Sequence, residues 1–600
     1  MAERFVSRKN ISFLLYDVFD VESLTAYDFY RDHSRESFDM IIDTACKIGS
    51  DMMYPVFAEM DRQEPEYRDG TVKVHPIVRE YLKKIGEGGW ISATKPYDVG
   101  GQQLPNMLNF LASFIFSAAN YSLGIYPYLT AGAANLIFNF GSQELKDAYL
   151  AKMYSGAWQG TMALTEPNAG SSLSDITTQA EQRDGGCYSI SGQKIFISAG
   201  RHDAVENVIH LMLARIKGAP AGVKGISLFV VPTFRIEDGG LVPNDVNCIG
   251  IDHKMGYRGA PIAQLAMGEN GDCRGYLVGE PNKGLAYMFH MMNEERIGVG
   301  IGAAGIASAA YYASLEYAQA RTQGRKLGEK DPCTPQVPII QHADVKRMLL
   351  FQRSVVEGAL ALLLQVSRYL DLEHVTGGEE GEKYHLLVEL LTPVVKTYPS
   401  EAGILSVSQG LQILGGYGYC KDFPLEQYYR DMRIHPIHEG TTGIQGQDIL
   451  GRKVRMNDGR AFALFLDEVK ETVTAARKHA TLKKQADGLE DAVRSLKDVT
   501  SFLIGASPKL GAEVFLADAT LYLELFCLVC VAWQWLKQAA VSAAALAGGA
   551  SGEDADFHNG KLATCRFFFA YELPKTLGLV KRLREADGLT VSIKENMFQD

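Results

Sequence analysis

The chain has no basic excess. Its 60 Lys and Arg are outnumbered by 71 Asp and Glu, for a formal net charge of -11 and a pI near 5.7. It therefore lacks the basic face with which a non-specific nucleic-acid binder releases phosphate counterions. It also lacks a cysteine pattern. Of nine cysteines, only Cys527-x-x-Cys530 has a metal-like spacing, and that pair is set inside the apolar "LYLELFCLVCVAWQWLKQAA". With no second pair and no loop around it, this reads as buried thiols, and the odd count fits a reducing, cytoplasmic setting. The N-terminal "MAERFVSRKNISFLLYDVFD" has neither a sustained apolar core nor a small-residue cleavage site, so no secretory signal is expected. The longest apolar tract, Leu521 to Ala547, is interrupted by Glu524, Gln534 and Lys537. Its unbroken part is shorter than the roughly 20 residues a bilayer span requires, so a buried helix is expected rather than a transmembrane segment. No internal repeat or low-complexity run is present.

What is present is 600 residues, 46% hydrophobic and 22% charged, a soluble composition too long for one hydrophobic core. Residues 37–159 carry apolar positions at three- and four-residue spacing, as in "LNFLASFIFSAANYSLGIYPYLTAGAANLIFNFG", and are expected to form a helical domain. Residues 160–280 change to short β-rich runs separated by Gly, Asn and Asp, such as "QKIFIS", "NVIHLMLA" and "GISLFVVP", which predict a central β-domain. Helices return over 281–455, with many Gly and Ala positions suited to close helix packing. The stretches "RKLGEKDPCTPQVP" and "HVTGGEEGEK" break that bundle. Residues 456–600 read as a further helical domain punctuated by "AGGASGEDADFHNG", and 1–36 as an N-terminal extension. The fold class is mainly α with a central β-domain.

One carboxylate stands apart. "HPIHEGTTGIQG" sets Glu439 ahead of Gly440, Thr441, Thr442 and Gly443, small residues that let another molecule approach the backbone. A merely solvated charge needs no such run, so the pattern points to a ligand. "MALTEPNAGSSLSD" closes a β-run, with Pro167 and Gly170 forcing a turn and hydroxyls at Thr165, Ser171, Ser172 and Ser174. Taken alone it is either a loop that cradles a ring or phosphate or a polar connection between domains. In "YSISGQKIFISAGRHD" a turn at Ser191 and Gly192 is expected to join two strands. Phe196 and Ser198 then alternate onto one face, where an aromatic beside a hydroxyl suits a flat heterocycle.

Seven segments, "LTEPNAGS", "GQKIFIS", "HKMGYRG", "NEERIGVGIGAAGIA", "ARTQGRK", "QILGGYGYCKDFPLEQYYRDMRI" and "HEGTTGIQ", resemble the acyl-CoA dehydrogenase family in order and interval from about residue 40 to 455. The N-terminal lead "ISFLLYDVFD" and the C-terminal extension further resemble the large subgroup that includes 3-methylmercaptopropionyl-CoA dehydrogenase and broad-range relatives. The resemblance implies a helical domain, a β-barrel-like domain and a four-helix bundle, with FAD held between them and across a subunit boundary. It carries the flavin-ring contacts onto Leu164, Thr165, Phe196 (where most members have tryptophan) and Ser198, and the pyrophosphate and adenine contacts onto Arg321, Gln412, Gly415, Gly416 and Thr441. In "ARTQGRK", Gln323 and Gly324 stand around the family's usual aromatic.

The α-hydrogen of an acyl thioester is a weak carbon acid, whose removal at neutral pH needs a positioned base and a stabilised oxygen. The resemblance implies that Glu439 is that base, that its backbone N–H helps to grip the thioester carbonyl, and that hydride leaves for flavin N5 to give a trans-2-enoyl-CoA. It further implies substrate contacts at Ser171, Asn293, Arg296 and Gly440, electron-transfer flavoprotein as acceptor and a homodimer. Glu295 stands where isovaleryl-type relatives keep their base, and is either site-lining or a packing charge beside Arg296. His435 and His438 flank Glu439, and Phe114 and Phe116 lie in the helix that floors the acyl pocket in relatives. The alternatives are an acyl-CoA oxidase that reduces oxygen and a non-catalytic scaffold on the same fold. A peripheral membrane contact through the C-terminal extension is a further option.

Overall fold

The computed structural model describes residues 5–599, with side chains throughout except at His290 and Met291. One unit runs from Glu36 to Glu295, and a second joins the N-terminal segment up to Arg35 to everything from Arg296 onwards.

In the first unit, Phe38, Ile42, Ala45 and Ile48 recur at three- and four-residue spacing and become the buried face of helix α1, Arg35–Ile48. The apolar stretch after Pro105 forms α2, Asn106–Phe140, in which Asn120 has non-helical dihedrals (φ -165°, ψ 97°) and separates two helical halves. The Asn120 side chain closes that break. Its Oδ1 accepts the Leu123 N–H at 3.2 Å, as an N-cap does, while Nδ2 donates to the Met53 carbonyl at 3.2 Å. Ser142 starts α3, Gln143–Tyr154, by accepting the Leu145 N–H. Phe114 and Phe116 are both buried in α2.

The expectation of helix throughout this region fails at one point. Glu66–Arg68 (β1) and Thr71–Lys73 (β2) pair as an antiparallel hairpin. Asp69 and Gly70 between them have φ of +48° and +77°, the primed turn that an Asp-Gly pair favours over helix.

The β-rich runs form ten further strands: β3 Trp158–Ala163, β4 Gln179–Gln182, β5 Tyr188–Ser198, β6 Asn207–Ile216, β7 Ile226–Pro232, β8 Phe234–Glu237, β9 Gly240–Pro243, β10 Val246–Ile251, β11 Ile262–Met267 and β12 Arg274–Val278. They make an eight-stranded sheet in the order β10-β11-β5-β12-β7-β6-β3, with β4 beside β5 and β6, plus the separate hairpin β8-β9. Ile190, Ile197, Met212, Phe229, Val231 and Leu265 lie in its core. The expected turn at Ser191 and Gly192 is not formed, because β5 continues straight through it. Gly192 (φ +145°) instead marks a change of partner. Residues before it pair with β4, and Gly192 to Ser198 pair with β11. A side chain there would collide with Thr178, whose Oγ1 lies 2.7 Å from the position of a Cβ. Close backbone approach, not chain reversal, explains that glycine.

The second unit is helical. The boundary falls inside α4, Gly284–Ala320, and the helices that follow are α5 Ala343–Val375, α6 Gly378–Leu414, α7 Leu425–Met432 and α8 Thr442–Gly451. Gly300 of α4 permits close packing: a Cβ would lie 2.0 Å from the Val395 carbonyl of α6. The extension adds α9 Met456–Ala476, α10 Lys483–Leu516, α11 Ala519–Ala547 and α12 Gly552–Phe567. The segment expected to punctuate it does so only at Gly548–Ser551, and "DADFHNG" lies within α12.

In α11, Trp533 and Trp535 are buried, and their indole N–H groups donate to Thr472 Oγ1 at 2.8 Å and to the Ser354 carbonyl at 2.9 Å. Lys561 of α12 is buried as well. It donates to Glu357 Oε2 at 2.7 Å, to Gln538 Oε1 at 2.9 Å and to Asn10 of the N-terminal lead. The lead is also held by Ser308 Oγ on the Phe5 carbonyl and Tyr30 OH on Asp371. Among the described residues, four helices, α2, α4, α5 and α11, are long and apolar enough to cross a bilayer by length and composition. Between 72% and 100% of each apolar window is buried inside the protein. Cys527 and Cys530 are buried free thiols.

Candidate active site

The carboxylate singled out in the sequence sits in the turn between α7 and α8. Hydrogen bonds shape that turn residue by residue. Ile437 N–H donates to the Ile434 carbonyl at 2.8 Å, and Thr442 N–H donates to the Pro436 carbonyl at 3.1 Å. Thr441 caps α8 by accepting the Ile444 N–H, and Gln445 Nε2 donates to the carbonyls of Glu439 and Gly440 at 3.2 and 3.3 Å. From α6, Lys396 Nζ donates to the His435 carbonyl at 2.7 Å and Glu401 accepts the Thr442 hydroxyl. Glu439 is held at φ +51°, a left-handed conformation that costs a non-glycine residue about 1–2 kcal/mol. Gly440 follows at +89°, where a Cβ would lie 2.6 Å from Gln445 Nε2. Glu439 N–H meets no acceptor among the described residues.

Burial pushes the Glu439 carboxyl above the usual carboxylate range, and the charges of Arg296 and then Lys396 oppose it. Burial likewise drives Lys396 down to about 8, while Glu439 and Glu401 pull it up. Arg296 is buried. It donates from Nη1 to Asp448 Oδ2 at 3.1 Å, and its Nε has no partner among the described residues. His435 is driven to about 3 by burial and His438 well below its ordinary value, so both are neutral. The rings meet edge to face at 5.5 Å.

A second group in the same unit is a cavity of about 440 Å³ lined by Arg321, Gly415 and Gly416 together with Tyr317, Gln323 and Tyr417. Gly415 has φ +59°, and at neither glycine would a Cβ meet any atom within 4 Å. Gln412 is exposed on the last turn of α6 and does not line the cavity.

A third group lies on the sheet of the first unit. Leu164 and Thr165 follow β3, and the Thr165 carbonyl accepts the Ile195 N–H at 2.9 Å. Phe196 is 58% exposed with φ +59°, at a bulge against β11, and Ser198 is half-buried beyond the buried Ile197. Ser171 is exposed on the loop after Thr165. Asn293 and Glu295 lie on α4, half-buried and buried. Tyr128 OH donates to the Glu294 and Glu295 carbonyls, and Glu294 accepts from Asn135 Nδ2 at 2.8 Å.

Three residues escaped the sequence reading. Lys396 is a lone cation in the apolar "LTPVVKTYPSEAG", a signal that could have marked it. Gln445 has no local signal. Glu166 stands inside the quoted "LTEPNAGS", yet its partner Lys194 is distant in sequence.

Four family profiles match consecutive parts of the chain. "Acyl-CoA dehydrogenase, N-terminal domain" covers residues 35–157, the corresponding middle domain 161–269, the C-terminal domain 282–453, and "Acetyl-CoA dehydrogenase C-terminal like" 465–594. A butyryl-CoA dehydrogenase of Syntrophomonas wolfei is 34% identical over 607 residues, covering 98% of each chain. The 3-methylmercaptopropionyl-CoA dehydrogenase of Ruegeria pomeroyi is 35% identical over 563 residues, 93% of this chain and 94% of that one. Among solved structures, an acyl-CoA dehydrogenase complexed with FAD from Bacillus anthracis aligns with a TM-score of 0.72 at 21% identity, over 98% of this chain and 93% of that one.

Proposed function

This chain belongs to the acyl-CoA dehydrogenase family, and we propose that Glu439 is the base that removes the α-proton of its acyl-CoA substrate. The activity is FAD-dependent dehydrogenation of an acyl-CoA. FAD, when bound, supplies the two-electron acceptor for the β-hydrogen.

The residues present fit that cofactor. Gly415 and Gly416 leave their cavity open at the backbone, and Arg321 adds a permanent charge suited to a pyrophosphate. Phe196 presents an exposed ring, with Thr165 and Ser198 on neighbouring backbone to orient the isoalloxazine. Gln412 and Thr441 are the remaining candidates for its adenine and ribose side.

The observation that carries the assignment of the base is a carboxyl pushed upward by burial in a turn secured at both ends. A base with an affinity nearer working pH is better matched to a weak carbon acid, and a positioned base contributes about 10²–10⁴-fold. The unengaged Glu439 N–H supplies a donor for the thioester carbonyl as negative charge builds on it. Arg296 and Lys396 oppose the upward shift of the carboxyl, and their side chains are held in place by Asp448 and the His435 carbonyl. Asn293, Glu295, Gly440 and Ser171 remain the candidate contacts for substrate.

Electron-transfer flavoprotein is the proposed acceptor, and the proposed form is a cytoplasmic homodimer. Nine free cysteines and the exposed Tyr417 and Tyr419 beside the Gly415–Gly416 turn support that setting. The test is an anaerobic acyl-CoA screen for flavin bleaching. Bleaching by the native chain and by Glu295→Gln, with loss in Glu439→Gln, is the expected result. Bleaching by Glu439→Gln with loss in Glu295→Gln would move the base to Glu295.

A further inference from the structure

Lys396 is fully buried in α6, where an ammonium is costly unless it is paired and hydrogen-bonded. Among the described residues its hydrogen bond goes to a neutral acceptor, the His435 carbonyl at 2.7 Å. That carbonyl opens the turn whose exit, at Thr442, is held by Glu401 of the same helix. The left-handed Glu439 lies between these two attachments. A strained residue persists only where its surroundings over-determine it, and α6 supplies part of that constraint.

The charged groups around this lysine are few. Glu439 and Glu401 attract it, and Arg296 from α4 repels it. His435 and His438 are neutral. A lysine serving only to pack could be replaced by an apolar chain of similar length without moving the protonation of Glu439. One acting on Glu439 would not.

Resting on the assignment of Glu439 as the base, we propose that Lys396 is a positioning residue for the reaction. Its ammonium fixes the entry of the turn that carries Glu439 and keeps a cation beside the carboxylate that must accept the proton. Glu401 holds the exit of the same turn and helps to hold the charge on that cation.

The test uses FAD-loaded protein carrying Lys396→Met or Glu401→Gln. Two properties are followed against pH: anaerobic flavin reduction by an acyl-CoA, and Glu439 protonation by infrared difference against Glu439→Gln, which needs no turnover. In Lys396→Met the acid limb and the infrared midpoint move together to higher pH, by about one unit, with flavin absorbance retained. In Glu401→Gln, which removes an anion that holds the charge on Lys396, both move in the same direction by less. Unmoved midpoints in both variants, with only a lower unfolding temperature, would make Lys396 a packing residue and overturn the proposal. Should Lys396→Met not fold, an unmoved midpoint in Glu401→Gln alone overturns it. A wrong base assignment gives a different result, because Glu439→Gln then still bleaches.

Discussion

Lys194 and Glu166 form an ion pair at 2.8 Å with side chains only 0% and 3% exposed. The pair ties β5 to the loop after β3, since Lys194 Nζ also donates to the Leu164 carbonyl at 3.1 Å. The Glu166 carboxylate is saturated by N–H and hydroxyl donors from Thr177 and Thr178. The candidate ring-binding residues Leu164, Thr165, Phe196 and Ser198 all lie within a few residues of this clamp.

Removing one partner leaves a buried charge uncompensated. Lys194→Met should therefore cost about 3–5 kcal/mol, seen as an earlier urea transition of the apo-protein, with FAD content also reduced. Glu166→Gln added to it should recover part of the loss. Burial alone would raise the Glu166 carboxyl, but Lys194 and the threonine donors outweigh it and bring it down from 4.5 to about 2. A depressed carboxyl contributes stability that is present above its unfolded value and lost as pH falls. The native protein should thus lose stability between about pH 4.5 and 2, and the double variant should lose less over that window.

Arg296 opposes the upward shift of Glu439 more strongly than Lys396 does. Arg296→Met should move the acid limb of flavin reduction to higher pH, and by more than Lys396→Met. Asp448 retains Arg452 at 2.8 Å, so the fold should survive for the comparison. A smaller shift in Arg296→Met than in Lys396→Met would reverse this order.

Gly416 faces open space in the 440 Å³ cavity. Gly416→Leu should change apo-protein stability by no more than about 0.5 kcal/mol, because a Cβ there meets no atom within 4 Å and the side chain points into open space. FAD affinity should fall by about tenfold or more, ~1.4 kcal/mol, measured by titration of the apo-protein. Unchanged affinity would place the dinucleotide elsewhere.

Lys561 gathers Asn10, Glu357 and Gln538 around one buried ammonium. Lys561→Met should cost about 1–3 kcal/mol, because Asn10 Oδ1 and Gln538 Oε1 lose their donor while Glu357 keeps Arg353. It should also free the N-terminal lead, read as faster proteolytic cleavage ahead of Arg35.

Periodicity and turn chemistry are local, and they are visible in the chain itself. The helical, β-rich, helical and again helical sections, the burial of Cys527 and Cys530, and the loops after Ala320 and Val375 follow from them. The local reading failed where a signal had two meanings. Asp69-Gly70 was submerged in a helical region and made a hairpin, while Ser191-Gly192 looked like a turn and served close strand packing.

The sequence by itself determined that Glu439 stands ahead of a run of small residues, and which family that run resembles. Only the tertiary structure decided which cations face it, what bends its backbone to φ +51°, and that Arg321 shares a cavity with Gly415 and Gly416 but not with Gln412. The physical reason is range. A side chain's period and its turn preference are set by its neighbours along the chain, but the charge and burial that tune a carboxyl come from helices brought beside it by folding.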